Sequence, residues 1–325
     1  MRRYLSGMRL LPAYVLLLAA APVAAQELPP FVPVNPIIAA RSPLYAQPIV
    51  AAAPGWRFRL VTDYSNAIET GTSVDRREYL LDAELLQMDL WITRDLSPRA
   101  FLIGDLSVRG GYDGKLDAFL NWYHDLIGLP VPARNRRPED TFGWTQTLPD
   151  GRVIDRARPG TFLGDLRLGA GVRFGRSQLV GTVTLPTATA SGEGWGRKTL
   201  GTAISLTSRL AESNRIIVDG GLSAGWTPTH GALATYQKSA FLGGLIGSRW
   251  RFSGSQSLFA TIAFQTANWQ NTGWASVDGR DVTLDAGGLV NFKKGWPEVQ
   301  IGITEDLAPH GPAVDVGFKV GLRWR

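Results

Sequence analysis

The sequence contains no cysteine, which excludes a disulfide framework, a lipidated amino-terminal cysteine and thiol chemistry. Beyond residue 25 it also lacks the roughly 18 consecutive apolar residues that a membrane-spanning helix requires. Neither sign of charge dominates, since 34 basic and 28 acidic residues give a formal charge of +6. So weak a bias argues against a nucleic-acid partner. Stability must therefore come from a large core or from a membrane.

The first 25 residues have the pattern of a secretory signal peptide. Three arginines precede the apolar run 10–21, and Val23-Ala24-Ala25 supplies the small residues of a cleavage site. Removing residues 1–25 takes away three arginines and no acidic residue, which leaves 31 basic against 28 acidic residues, or +3. The pattern predicts export into a Gram-negative-type envelope.

Glycine and tryptophan are abundant, at 37 and 11 of 325 residues. This composition suits a large antiparallel β structure better than a helical one. Residues 26–55 are proline-rich and show no periodicity, so we expect an extended arm that lies in the periplasm.

From residue 56 onward, apolar and polar residues alternate with the period of a β-strand. The stretch 314–325 is the most regular, with Val316, Phe318, Val320, Leu322 and Trp324 on one face. The second strand changes phase after Leu85, which a β-bulge would repair. The pattern predicts twelve strands, at about 56–65, 77–94, 98–109, 162–174, 177–187, 199–210, 214–226, 238–252, 256–268, 280–293, 297–306 and 313–325.

Short and long connections alternate between these strands, and the strand number is even. Both features are typical of an outer-membrane barrel with short periplasmic turns and longer external loops. A soluble β-sandwich is the alternative, but strands of about 10–15 residues are longer than the mode of about 5–6 in soluble proteins. Aromatic residues also collect at strand ends, as lipid boundaries favour. At the predicted external end these are Trp226, Trp269 and Trp274; at the periplasmic end they are Trp56, Phe174, Trp250, Phe252, Phe292, Trp296 and Trp324.

The fold class that we expect is all-β, a transmembrane antiparallel up-and-down barrel of twelve strands over residues 56–325. Its polar faces would line a lumen, because charged groups facing lipid cost roughly 2–4 kcal/mol near the midplane. The lumen could conduct, or cross-strand charge pairs could seal it; twelve strands is an intermediate size. The lumen-lining candidates are Asp165, Arg167, Arg173, Arg249, Arg251, Glu298, Asp315, Lys319 and Arg323.

The long insert 110–161 is the second candidate region. Residues 115–127 have helical spacing, and Gly128-Leu129-Pro130 ends the predicted helix. A loop of this length in a compact barrel is usually functional, so Tyr123, His124 and Asp125 are candidates for a lid or plug. An external cap packed on itself is the alternative.

Enzymatic chemistry has little support. Three histidines lie in predicted external loops with no metal-ligand spacing, so no metal or other cofactor is expected. A serine–histidine lipid hydrolase at the rim would use His124, but no motif places a serine beside it. We therefore expect no catalytic residues.

The segment Phe119–Pro130 contains Tyr123-His124-Asp125 and Gly128-Leu129-Pro130, and it resembles the FHDxFGLP segment of an uncharacterised family of bacterial outer-membrane β-barrel proteins, a domain of unknown function. Two aromatic positions of that segment are Tyr123 and Ile127 here. The resemblance extends over most of the chain after residue 25; it implies the barrel and adds no activity. Asn35-Pro36, Thr184-Leu185-Pro186-Thr187 and Glu305-Asp306 also match the family.

These features predict a porin-like narrow channel or small-molecule uptake protein in the bacterial outer membrane. A closed structural or surface-interaction barrel is the alternative, with external loops that bind a partner. The expected partners are membrane lipid and lipopolysaccharide, the barrel-assembly machinery and a small solute. Phe318, Leu322 and Trp324 form the expected assembly signal.

Overall fold

The structure is a computed structural model that describes residues 27–44, 47–73, 75–128, 134, 137–190, 194–293, 295–308, 311–312 and 314–324. The predicted signal peptide, residues 1–25, lies outside the described residues.

Twelve antiparallel strands form a closed barrel, and three shorter strands belong to the insert. The barrel strands are β1 (Trp56–Thr72), β2 (Glu78–Asp95), β3 (Ala100–Tyr112), β7 (Arg167–Phe174), β8 (Ser177–Thr184), β9 (Gly201–Glu212), β10 (Ile216–Trp226), β11 (Ala240–Arg251), β12 (Gln256–Gln265), β13 (Asp281–Asn291), β14 (Glu298–Asp306) and β15 (Val316–Trp324). The insert strands are β4 (Gly143–Thr147), β5 (Val153–Asp155) and β6 (Gly160–Leu163), and the helices are α1 (Pro36–Ala39), α2 (Asp117–Ile127) and α3 (Ala275–Asp278).

The first and last strands close the barrel. Phe58 of β1 lies opposite Trp324 of β15, and the pairing continues upward to Asn66 and Val316. Every other barrel strand pairs with its neighbours around the ring. The predicted twelve-stranded up-and-down barrel is confirmed.

Along each barrel strand, apolar side chains on the outside alternate with more polar side chains on the inside. In β12, Leu258, Ile262 and Phe264 are exposed, while Ser257 and Thr261 are buried inside the barrel. An exposed belt of large apolar side chains around a closed barrel is the surface that lipid covers.

The tight connections lie at one end, called here the short-turn end, and the longer ones at the opposite long-loop end. The seven aromatic residues predicted for the short-turn end are all exposed there. At the other end Trp226 is exposed, but Trp269 and Trp274 differ from the prediction because they are buried. They pack beneath the loops rather than against lipid.

β2 contains no bulge. Its pairing with β1 runs without interruption from Arg94 opposite Trp56 to Glu78 opposite Thr72. The apolar side changes because the surroundings change: Leu81 and Leu85 face a core inside the long-loop end, whereas Leu90 faces outward lower down. A register shift does occur in β10, between Val218 and Asp219, where this strand pairs with β9.

The long-loop end is closed by a hydrophobic core, called here the cap. Because β1 and β2 extend past the pairing of β1 with β15, their inward side chains continue above the ring and help to build it. Loop aromatics and the tip of the N-terminal segment complete the cluster. Its members include Val34, Ile37, Ala67, Tyr79, Leu81, Ala83, Leu85, Trp144, Leu148, Phe162, Trp195, Leu233, Tyr236, Trp269, Trp274, Val277 and Val314.

The insert contains the predicted helix as α2, which ends where Gly128 adopts a positive φ of 69°. Among the described residues no helix is both long enough and apolar enough to cross a membrane. α2 lies on the outer wall of the barrel. There the ring of Phe119 meets the outward-facing ring of Phe318 of β15 edge to face, with 5.8 Å between the ring centroids. The helix therefore does not plug the lumen.

Candidate functional site

The barrel interior is occupied by the chain's own N-terminal segment, residues 27–55, called here the arm. The arm was predicted to lie in the periplasm, but most of its described residues are buried inside the barrel. It runs up the interior to α1, turns beneath the cap and returns to β1 at the short-turn end. The sequence did contain a signal, since LPPFVPVNPIIAA is too apolar for a solvated linker.

Apolar side chains of the arm pack against opposite walls. Val32 and Val50 cluster with Phe101 and Val180 of one side. Leu28 packs against Phe259 and its neighbours on the opposite side. Contact with both walls means that the arm fills the cross-section of the barrel.

Inward polar side chains bind the arm's backbone. Gln178 accepts a hydrogen bond from Val50 N at 2.8 Å and donates to Pro48 O at 2.7 Å. Thr207 donates to Gln47 O at 2.8 Å, and Asn268 donates to Ile38 O at 2.9 Å. These bonds satisfy peptide groups that would otherwise be buried without partners.

The arm also holds itself to the wall through charged and polar side chains. Arg41 donates from Nη1 to Gln237 at 2.8 Å and from Nη2 to Lys238 O at 2.8 Å. Ser42 donates to Gln265 at 2.7 Å. Each contact joins the returning half of the arm to strands or loops on the β10–β12 side.

Glycines on the inner wall leave room for the arm. A Cβ on Gly225 would lie 2.7 Å from Pro43 Cγ and 2.9 Å from a methyl group of Leu44. A Cβ on Gly247 would lie 2.8 Å from a methyl group of Leu28. The wall and the arm are therefore shaped for one another at these positions.

At the short-turn end the arm meets five inward arginines, called here the arginine collar: Arg57, Arg59, Arg173, Arg249 and Arg323. The carboxylate of Glu27 lies 2.6 Å from Arg323 Nη1 and 3.3 Å from Arg57 Nη1. The wall supplies two further carboxylates for the collar. Asp95 pairs with Arg57 at 2.7 Å and Arg173 at 2.8 Å, and Glu298 pairs with Arg249 at 2.9 Å and Arg323 at 3.0 Å.

Seven of the nine lumen-lining candidates lie on inward positions of the barrel wall. Arg167 pairs with Asp105 at 3.3 Å, and Lys319 bridges Asp285 at 2.8 Å and Asp63 at 3.6 Å. Three others, Arg173, Arg249 and Arg323, belong to the collar, and Glu298 pairs with two of them. The last is Arg251, half-buried at the end of β11. The lumen charges are thus largely paired.

Asp165 lies outside the barrel strands, in the loop before β7. Its oxygens accept hydrogen bonds from Thr187 N and Arg197 N at 3.0 Å each. Burial lowers the pKa of Arg197 to about 10, so this guanidinium stays protonated at neutral pH. Arg197 Nη2 donates to Ser42 O of the arm at 2.8 Å, which links the loop to the arm.

Asp315 also lies outside the lumen, because it precedes β15 and turns toward the insert. Arg134 of the insert lies 2.6 Å from Asp315 and 2.9 Å from Asp117. Asn66 accepts a further hydrogen bond from Arg134 at 2.7 Å. This network, buried under α2, fastens the insert to the outer wall.

The insert candidates surround this network instead of the lumen. His124 Nε2 lies 3.0 Å from Asp315 Oδ1 and is buried. The ring of Tyr123 stacks on Phe119 at 6.5 Å, and Asp125 is exposed. His124 lies on the buried face of α2, where it packs against the wall and bridges the helix to Asp315. Within the described part of the chain, no group of three or more potential ligand residues could hold a metal ion.

A family model described as a protein of unknown function, DUF3187, matches residues 10–325. The resemblance seen in the sequence is thereby confirmed. A search of curated proteins finds none whose sequence matches the chain.

Among solved structures, the chain is similar to an outer membrane channel from Pseudomonas putida F1. The TM-score is 0.51 at 15% identity, covering 84% of this chain and 95% of that chain. The toluene transporter TbuX from Ralstonia pickettii gives a TM-score of 0.42 at 8% identity over 84% and 90% of the two chains. The monoaromatic hydrocarbon channel CymD gives 0.41 at 10% identity over 84% and 88%. The first likeness shows the fold, a barrel of the outer-membrane channel type.

Proposed function

Since the chain belongs to the DUF3187 family of proteins of unknown function, we propose from its geometry that it is a small-molecule channel of the outer membrane, closed by its own arm. The arm lies inside a barrel whose inner wall is polar, glycine-lined and bonded to the arm's backbone. This single arrangement supports the proposal, because twelve strands lie between a side-chain-filled barrel of eight and an open channel of sixteen, so the segment inside the lumen decides whether solute can pass.

The short-turn end faces the periplasm in this proposal, as short turns do in outer-membrane barrels. The arm then enters and leaves the lumen from the periplasmic side. The cap closes the outer end, and a cavity of about 810 Å³ opens beside it between β1, α3 and the end of β14. Opening requires the arm and part of the cap to move, since Ile37 and Ile38 of the arm accept hydrogen bonds from Trp269 and Asn268.

The test is solute flux and planar-bilayer conductance of the wild-type protein and a variant lacking residues 27–53. We expect the deletion to raise conductance, because it removes the material that fills the lumen. A full-length variant, Gly225→Val, should act in the same direction, since its side chain would overlap Pro43 and Leu44. Gly181→Val is the matched control, because a Cβ there meets nothing within 4 Å.

A reversible tether tests whether the arm has to move. The chain has no cysteine, so Ser42→Cys with Gln265→Cys introduces the only two thiols, at positions whose native side chains meet at 2.7 Å. A short bis-maleimide with a reducible linker can join these thiols. Flux through the cross-linked variant should be lost and should return when the linker is reduced. Equal flux in both states would contradict an arm-gated channel.

A closed structural barrel is the second candidate, and the paired charges of the lumen favour it. Absence of conductance in both the deletion variant and Gly225→Val, with both folded, would support this candidate against the channel. Its external loops would then be the interaction surface.

We also propose that the outward face of β15 is the assembly signal. Phe318, Leu322 and Trp324 point outward at the closing strand, next to β1. Trp324→Ala should impair insertion into the outer membrane much more than deletion of Arg325. The reverse result would remove Trp324 from this role.

A further inference from the structure

A cavity of about 450 Å³ lies at the short-turn end, between the two ends of the arm and the barrel wall. Its volume is in the range of pockets that bind small organic molecules. The arm contributes residues 47–54 and Glu27, and the wall contributes Arg57, Arg59 and Arg323. The cavity is thus built jointly by the barrel and by the segment that we propose as its gate.

The charge around this cavity is positive. The five arginines of the collar face three carboxylates, Glu27, Asp95 and Glu298, which leaves a formal charge of +2. Arg59 is buried and lines the cavity, and among the described residues no carboxylate lies within ion-pairing distance of it; Glu298 and Glu27 attract its charge only from farther away. Its side chain donates one long hydrogen bond, 3.4 Å, to Gln300. A buried guanidinium in this state favours an anion beside it.

The remainder of the lining is mostly apolar. Trp91 and Ile103 belong to the wall, while Leu28, Ile49 and Val50 belong to the arm. An apolar body would be desolvated against these side chains, and an anionic head would reach the arginines. The combination therefore selects amphipathic anions over neutral or fully hydrated solutes.

We propose that this cavity binds a small organic anion with an apolar body, whose carboxylate competes with Glu27 for Arg57 and Arg323 and pairs in addition with Arg59. Glu27 is the only carboxylate of the described arm, and it already occupies the place of such a ligand. An anion in the cavity would displace Glu27 and loosen the start of the arm at the short-turn end. Regulation of the gate in this way rests on the proposed channel function.

The binding test uses the full-length protein in detergent, with benzoate and its uncharged analogue benzamide as probes in calorimetric titrations. Benzoate should bind more than about tenfold more tightly than benzamide, because hydrogen bonds to charged groups are the stronger ones.

Arg59→Gln should weaken benzoate binding by about tenfold for the same reason. Arg176→Gln, an equal charge change in an exposed turn at the same end, should leave it unchanged. Glu27→Gln should strengthen binding, because it removes the internal competitor.

Equal binding of the two probes, or weaker benzoate binding in Glu27→Gln, would overturn the proposal. Circular dichroism and protease resistance establish that each variant is folded, and Glu27→Gln gives an expected gain that misfolding cannot mimic. If the arm deletion conducts but the intact protein binds no benzoate, the anion site is wrong and the channel stands. If benzoate binds with the expected pattern but neither the deletion nor Gly225→Val conducts, the channel is wrong and the site stands.

Discussion

The ring of the barrel and its long-loop end have opposite polarity, and β2 passes through both. In the ring, Gln87 and Asp89 point inward and are buried, while Leu90 points outward. Toward the long-loop end, Leu81 points inward into the cap, while Asp82 on the outer side pairs with Arg137 of the insert at 3.0 Å. Alternate side chains of β2 therefore point inward along the whole strand, but the interior that they face is polar in the ring and apolar in the cap.

This difference shows that the polarity of a strand face depends on the environment that the face contacts. The ring has the apolar outer face that a lipid surrounding requires, and the arm and paired charges fill its interior. Above the ring, the interior is a protein core and the exterior is covered by the insert or by water. One strand can therefore carry an apparent phase error without any bulge.

The largest expected effect separates two leucines of β2. Leu81→Ala should lower the free energy of unfolding by about 2–5 kcal/mol, because it leaves a hole in a packed core. Leu90→Ala should cost less, about 1–2 kcal/mol, because lipid fills the vacated space and only the transfer free energy of the removed methyl and methylene groups is lost. Urea-induced unfolding from lipid vesicles measures both.

Equal losses for the two variants would break the comparison, since they would mean that the same kind of packing surrounds both positions. A Leu81→Met variant serves as the control for the core position, because a volume-conserving change usually costs less than about 1.5 kcal/mol.

A smaller effect is expected for a charge on the outer wall of the ring. Leu222 is among the most exposed leucines and lies near the middle of β10, opposite Leu206 and Gly244. Leu222→Arg should cost about 2–4 kcal/mol in a bilayer if this position is near the midplane. The same vesicle unfolding measurement applies, with Leu222→Ala as control. A cost near zero would mean that water, not lipid, faces this part of the wall.

The barrel was predictable from the sequence because its signals are local. Alternation with period two, short and long connections and aromatic residues at strand ends each appear within a few neighbouring residues. The segment 316–324 became β15 in the expected register, with Phe318, Val320 and Trp324 outward. The same alternation recurs in every strand of the ring, so repetition made the pattern readable.

The location of the arm was not predictable in the same way, because its contacts are distant in the chain. Val50 meets Gln178, and Ser42 meets Gln265, across more than a hundred residues. Proline-rich sequence without periodicity indicates an extended backbone and says nothing about what surrounds it. The excess of apolar residues in 28–38 was the available clue, and it needed a wall to pack against.

Asp315 and the buried tryptophans were misplaced for a related reason. Asp315 continues the polar face of the last strand in the sequence, but the strand begins at Val316 and Arg134 draws the carboxylate to the insert. Trp269 and Trp274 lie near strand ends, as belt residues do, yet loop packing buries them in the cap. Position along the chain could not distinguish a lipid boundary from a core that closes the same end.

The smallest expected effect is spectroscopic and compares two tryptophans of the insert. Of the 11 tryptophans, six are exposed on the outside and five are buried. Trp122 of α2 is exposed at 57% beside Phe119, whereas Trp144 of β4 is buried in the cap. Aromatic residues on the apolar face of such a helix favour the lipid interface.

In vesicles of lipids with brominated acyl chains, Trp122→Phe should remove about one-sixth of the quenchable emission if the six outer tryptophans contribute equally. Trp144→Phe should lower only the unquenched emission, because the cap excludes lipid from its core. If the two variants change quenching alike, α2 does not contact the membrane. The outer side of the long-loop end would then face water, in contrast to the apolar outer face of the ring.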